Sequence, residues 1–304
     1  MVATPPPRSV PAGALLALSA AATWGLQAVM AKDVFAAVPP ARLAQLRAGS
    51  TAVLLLAGLA VFSRGWLAAV HSAMVPLAVF GACLALVNVS YYLALARLPV
   101  GVAVSIQYTA PLLVLVARRR QATPLLWAAG GVAVAGAALV AGVTGGVALP
   151  VTGLALAVLS AVGFAGYLLS GEAVSRRLGS VASVAMGFAV ASVIWAVILP
   201  WWSFPVSRLG QPGVPWRLVV VCIGGTLVPF LLMVRALRLI SAGPAGVLAT
   251  AEPAFAALFA WAILGEGLGA FQLVGLVLVI GGVSLTQVSS MTSTSVDPAL
   301  EVAE

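Results

Sequence analysis

The chain has 304 residues, 62% of them hydrophobic and only 7% charged, with a net charge of +8. A soluble domain carries about 25% charged residues because its surface faces water, so this composition excludes an ordinary soluble fold and points to an integral membrane protein. The basic residues fall in short clusters between apolar runs, which argues against a nucleic-acid-binding patch and for topology signals at a membrane surface.

The N-terminal stretch 1–11 is short and proline-rich and is expected to be a disordered tail. The apolar run after it has no clear small-residue cleavage site and is followed by further runs, so it is expected to be a retained helix. A spanning helix needs about 20 mostly apolar residues. Ten such runs can be counted, at 12–31, 41–62, 73–95, 101–117, 124–142, 152–170, 181–200, 215–234, 244–264 and 270–288. Between them lie proline, glycine and arginine clusters: Pro39-Pro40, Arg64-Gly65, Pro99, Arg118–Arg120, Gly145-Gly146, Arg176-Arg177 and Gly265–Gly269 among them. The polar stretch 289–304 is expected to be a second disordered tail.

Charge tests this count. With the N-terminus inside, the inner segments carry nine Lys and Arg and the outer ones five, Arg47 lying within a run. The bias predicts a multi-pass plasma-membrane protein with both termini in the cytoplasm.

The chain also matches itself. Ala94–Pro111 and Ala236–Pro253 align without a gap at an offset of 142, sharing Ala, Leu, Gly, Ala and Pro. Runs 1 and 6 align at 141 through Ser19/Ser160, Ala20/Ala161 and Gly25/Gly166, and runs 5 and 10 at 145 through Gly130/Gly275 and Gly136/Gly281. A near-constant offset over three helix pairs predicts two repeats, 12–145 and 150–288, of five helices each. Five is odd, so the second repeat enters the bilayer inverted, an arrangement recurrent in secondary transporters.

Trp24-Gly25, the set Pro40, Leu43 and Arg47, the stretch Tyr91–Leu112, and in the second half Ala236–Pro253, Leu264–Glu266, Gly275 and Gly281-Gly282 resemble EamA-domain proteins of the drug/metabolite transporter superfamily. That ten-helix group includes amino-acid and metabolite exporters. The resemblance covers roughly 12–288 and implies an all-α polytopic fold, a central cavity between the halves, and transport without a bound cofactor. The first half departs from the pattern: it has Ala110-Pro111 where the second has Glu252-Pro253, and Arg118–Arg120 near where the second has Glu266.

An ionisable residue inside a membrane is costly unless paired or hydrated. Glu252 is the chief case: it either lies on the transport path, where it could couple transport to protons, or ties a proline-distorted helix to a neighbour. Arg47 either pairs with a substrate carboxylate or with Glu252, or snorkels to the nearer surface. Trp24 and Gln27 in run 1, Asn88 and Tyr91 in run 3, Gln107 and Tyr108 in run 4, and Tyr167 in run 6 complete the expected substrate-binding set with Glu252. A mixed aromatic and amide lining suits a small amphipathic solute, and the same residues could instead bond helix to helix. Glycines in runs 5 and 10 are expected to serve close helix packing, and Glu266 to sit in an interfacial loop or at a helix start.

The expected function is therefore a secondary transporter, an exporter by resemblance, moving an amino acid or drug-like compound by alternating access. Its expected partners are that small molecule and the bilayer, with no nucleic acid and no cofactor, as a monomer or homodimer. A non-transporting scaffold or sensor is the competing class. A membrane-embedded lipid-modifying enzyme would need a nucleophile and base or a ligated metal. One histidine, His71, two cysteines in apolar runs (Cys83, Cys222) and one clear intramembrane carboxylate do not supply them.

Overall fold

A computed structural model describes residues 10–35, 37–62, 70–71, 73–98, 100–141, 149–265 and 267–294. Arg64-Gly65, Pro99, Gly145-Gly146 and Glu266, singled out above, lie outside them. The described residues are helical, with no strand. The helices are α1 (Val10–Phe35), α2 (Pro40–Phe62), α3 (Met74–Leu95), α4 (Val100–Gln107), α5 (Ala110–Ala117), α6 (Pro124–Val140), α7 (Val151–Leu178) and α8 (Ser180–Ile198). Two short 3₁₀ turns, Trp201–Ser203 and Val206–Gly210, lead to α9 (Val214–Leu239), α10 (Ala242–Ala249), α11 (Glu252–Leu264) and α12 (Ala270–Thr294).

Among the described residues seven stretches are long and apolar enough to cross a membrane, α10 and α11 counting together as Ala242–Ile263. Three further apolar stretches are shorter: Val102–Ala117, Pro124–Val140 and Ala270–Thr286. Large apolar side chains such as Val75, Val197, Val277 and Ile280 point outward, while the interior is dense with alanine. An apolar exterior over a small-residue interior is how helices pack in lipid, where close backbone approach does the work that hydrophobic burial does in water. The protein is an integral membrane protein. Its helices overrun the expected tails slightly: α1 begins at Val10, and 289–294, read from sequence as tail, continue α12.

Two runs read from sequence as single helices are broken. α4 ends at Gln107 and α5 starts at Ala110; α10 ends at Ala249 and α11 starts at Glu252. Proline explains both breaks. Pro111 and Pro253 lack an N–H, so the carbonyls four residues back, on Gln107 and Ala249, lose their α-helical partners, and the rings clash with them. The breaks fall 142 residues apart, the offset at which the two segments align.

α6 packs against α12 at glycine. A side-chain carbon on Gly136 would lie 2.7 Å from the Gly275 carbonyl oxygen, and one on Gly275 would lie 2.7 Å from that of Gly136. The contact thus joins Gly136 to Gly275, although the sequence alignment pairs Gly136 with Gly281. Farther along, Gly282 abuts Ala129, so numbers fall on one helix as they rise on the other and the two run antiparallel. α5 and α10 cross in the same sense, with Gly246 on Pro111 and Gly243 on Leu115.

Candidate functional site

The two proline breaks meet in the interior. Tyr108 lies in the first break, and its hydroxyl donates a hydrogen bond to Glu252 Oε2 at the start of α11. Glu252 is partly exposed to a cavity of about 510 Å³. That volume lies within the ~300–1,000 Å³ usual for small-molecule sites.

Seven of the eight residues expected from sequence line this cavity: Trp24, Gln27, Asn88, Tyr91, Gln107, Tyr108 and Glu252. Their polar groups are partly anchored. Asn88 Nδ2 donates to the Leu84 carbonyl at 2.8 Å, and Gln107 Oε1 accepts from Ser160 Oγ at 2.6 Å. Tyr167 is the exception. It stacks behind Phe164 with centroids 5.8 Å apart, fully buried, and its hydroxyl has no hydrogen-bond partner. Phe164 lines the cavity in its place. The two are three residues apart on α7, so sequence spacing puts them on one face but does not say which ring is in front.

Trp24, Phe164 and Phe230 form an aromatic floor: Trp24 meets Phe230 edge-on at 5.2 Å, and Phe164 meets Tyr108 at 6.2 Å. Phe80, Tyr167 and Phe188 back it. Leu95 at the end of α3, Val140 at the end of α6 and Gln272 in the first turn of α12 mark the cavity's other end.

Arg47 also lines the cavity and does not snorkel: it is 7% exposed. Its Nε donates to Thr226 Oγ1 at 2.6 Å, one terminal nitrogen to the Tyr92 hydroxyl, and the other to the Gly225 carbonyl at 2.9 Å. Two of these acceptors lie in a π-helical stretch of α9, Val220–Leu227. Gly224-Gly225 weakens the helix there, and Pro229 has no N–H for the carbonyl four residues back, that of Gly225. Arg47 takes the acceptor that proline leaves. No ion pair joins Arg47 to Glu252.

Below the aromatic floor is a second buried carboxylate that sequence reasoning missed. Glu172, near the end of α7, is 6% exposed. Its Oε1 is 2.9 Å from Arg176, and its Oε2 is 3.5 Å from Arg118 and accepts the Ala242 N–H, at the first residue of α10, at 2.9 Å. Arg118 and Arg176 belong to the two arginine clusters read from sequence as surface topology signals. The available signal was the i, i+4 spacing of Glu172 and Arg176. Among the described residues no group of His, Cys, Asp and Glu could hold a metal ion.

The pattern of the EamA-like transporter family matches residues 11–142 and again 151–288. The chain belongs to the EamA-like transporter family. It is 29% identical over 261 residues to the threonine/homoserine exporter RhtA of Escherichia coli (strain K12), covering 83% of each chain. It is 27% identical to the exporter of the same name in Salmonella typhimurium (strain SL1344), again over 83% of each. A solved crystal structure superposes with a TM-score of 0.70 at 20% identity, covering 91% of this chain and 98% of that one, a likeness of fold. As an EamA-like transporter, the protein acts on small molecules at a membrane, which gives the central cavity its context.

Proposed function

We propose that this protein exports a small amino acid or a metabolite of similar size across the cell membrane by alternating access. The carrying observation is the cavity, lined by both halves of the chain, in which aromatic and amide groups stand beside two ionisable ones. The relatives' exporter names point to amino acids and to outward movement.

In this reading the chain crosses the membrane ten times as two inverted five-helix repeats, with both termini in the cytoplasm. The three shorter apolar stretches supply the remaining crossings. Inversion is supported by the antiparallel crossing of α6 with α12, the twin elements of the two repeats, and by that of α5 with α10, which belong to the twin broken runs. Cavity residues then lie in the outer half, and the Glu172 cluster lies at the inner ends of α5, α7 and the start of α10. The conformation is outward-facing, with the inner side tied shut across the two repeats. Coupling to protons would involve Glu252, the carboxylate in the cavity.

Purified protein in proteoliposomes tests this. Threonine and homoserine are loaded inside, and efflux is followed with and without a pH gradient. Efflux above protein-free vesicles is expected. Its absence for these amino acids, with protein correctly inserted, would overturn the reading. Indifference to the pH gradient would remove proton coupling alone.

A further inference from the structure

We propose that Arg47 and Glu252 are the two charge-reading ends of the cavity, Arg47 taking the substrate's carboxylate and Glu252 its ammonium group. The site would then select α-amino-acid zwitterions over singly charged molecules of the same skeleton. This rests on the amino-acid exporter reading and assigns the substrate's orientation within it.

Three observations converge. First, both groups line one cavity and come from opposite halves of the chain, Arg47 from α2 and Glu252 from α11. Second, each is held by neutral partners only. Arg47 uses three of its five N–H donors on Thr226, Tyr92 and Gly225, and Glu252 accepts one hydroxyl, from Tyr108. These bonds fix position without neutralising charge. Third, the two are not paired with each other.

A cation and an anion facing one partly desolvated space are costly unless something compensates them. Elsewhere in the same chain compensation is complete: Glu172 has two arginines and a backbone N–H. The cavity pair has no such direct partners, Arg47 acting on Glu252 only through space, and a zwitterion supplies contact compensation to both groups at once. A guanidinium with spare N–H groups suits a carboxylate, and a carboxylate with a spare oxygen suits an ammonium. The aromatic floor of Trp24, Phe164 and Phe230 is left for the side chain, and Gln27 and Asn88 can meet a side-chain hydroxyl.

The test follows labelled homoserine flux in proteoliposomes against three competitors: unlabelled homoserine, homoserine amide (no carboxylate) and N-acetylhomoserine (no ammonium). On the unaltered protein the two analogues should compete at least tenfold more weakly than homoserine. Arg47→Gln should lose homoserine affinity tenfold or more while changing little toward the amide, and Glu252→Gln should do the same with respect to the N-acetyl compound. Arg47 also braces α9, so Arg47→Gln could fail to fold; the competition on unaltered protein then tests zwitterion selection without a variant, and Glu252→Gln tests the residue assignment at the ammonium end. Equal competition by all three compounds, with homoserine flux intact, overturns this inference and leaves the exporter reading standing. No amino-acid flux at all overturns both.

Discussion

Glu172 and Glu252 are both interior carboxylates on a chain with few charges, yet they are held in opposite ways. Glu172 is closed off: two arginines and the Ala242 N–H surround it, and it touches three segments, the end of α5, α7 and the start of α10. Glu252 has one tyrosine hydroxyl and faces open volume. A carboxylate whose acceptor sites are filled by the protein has little left to offer a ligand, so its work is to join elements. One left half-satisfied beside a cavity has an unused oxygen, and the protein bears the cost of keeping it there. The two should therefore respond oppositely when stability and transport are measured on the same variants.

The largest effect is expected at Glu252. Glu252→Gln can keep the Tyr108 hydrogen bond, so thermal unfolding in detergent should move by less than about 1 kcal/mol. Transport should fall tenfold or more. A fall of similar size in stability would place Glu252 with Glu172 and erase the contrast.

Next comes Glu172→Gln. It leaves Arg118 and Arg176 without their counter-charge. Both arginines are about one-third exposed, at 37% and 36%, so solvent screens much of the loss, and a cost of about 1–3 kcal/mol is expected. Unfolding temperature should drop. In the proposed orientation, a cysteine placed at the Arg176 end of α7 should react more readily with a membrane-impermeant thiol reagent applied from the cytoplasmic side. Unchanged reactivity would deny Glu172 its part in holding that side shut.

Tyr108→Phe should act more mildly. It deletes the hydroxyl that links the two proline breaks, costing about 1 kcal/mol and lowering flux several-fold, read from the same efflux assay. The smallest effect is expected at Tyr167→Phe, which removes a buried hydroxyl with no partner behind Phe164. Flux should stay within about twofold of the parent, and stability should hold or rise by about 1 kcal/mol. A large loss of flux would return Tyr167 to the substrate path.

Much of the cavity was legible because polar and aromatic residues are rare in these runs. Asn88, Gln107 and Tyr108 stand out against alanine, valine and leucine, and so does Glu252. The 142-residue offset was legible because glycine and proline carry backbone geometry with them; the structure turns Pro111 and Pro253 into real breaks. What stayed hidden is lateral. An arginine two turns into a helix looks the same in sequence whether it bends to the surface or turns inward, and only the seat offered by Gly225 and Thr226, some 180 residues away, settles it for Arg47. Glu172 fell just past the apparent end of an apolar run, and its partner Arg118 lies across the fold. The Gly136–Gly275 contact shows the same limit, because an alignment of repeats gives equivalent positions and not touching ones.

The π-helical stretch in α9 has a consequence for how the cationic pole could be lost. A π turn holds one residue more than an α turn in the same span, so the helix before and after it is out of step by about 100°. Deleting one residue among Val220–Gly224 would remove the extra residue of the π turn, and Gly225 and Thr226 would rotate away from Arg47 relative to the part of α9 before them. Arg47 would remain in the chain with its Tyr92 bond but without its two partners on α9. The cavity's chemistry is thus set partly by residue number in α9, and a one-residue deletion could abolish it while every charged side chain stays in place.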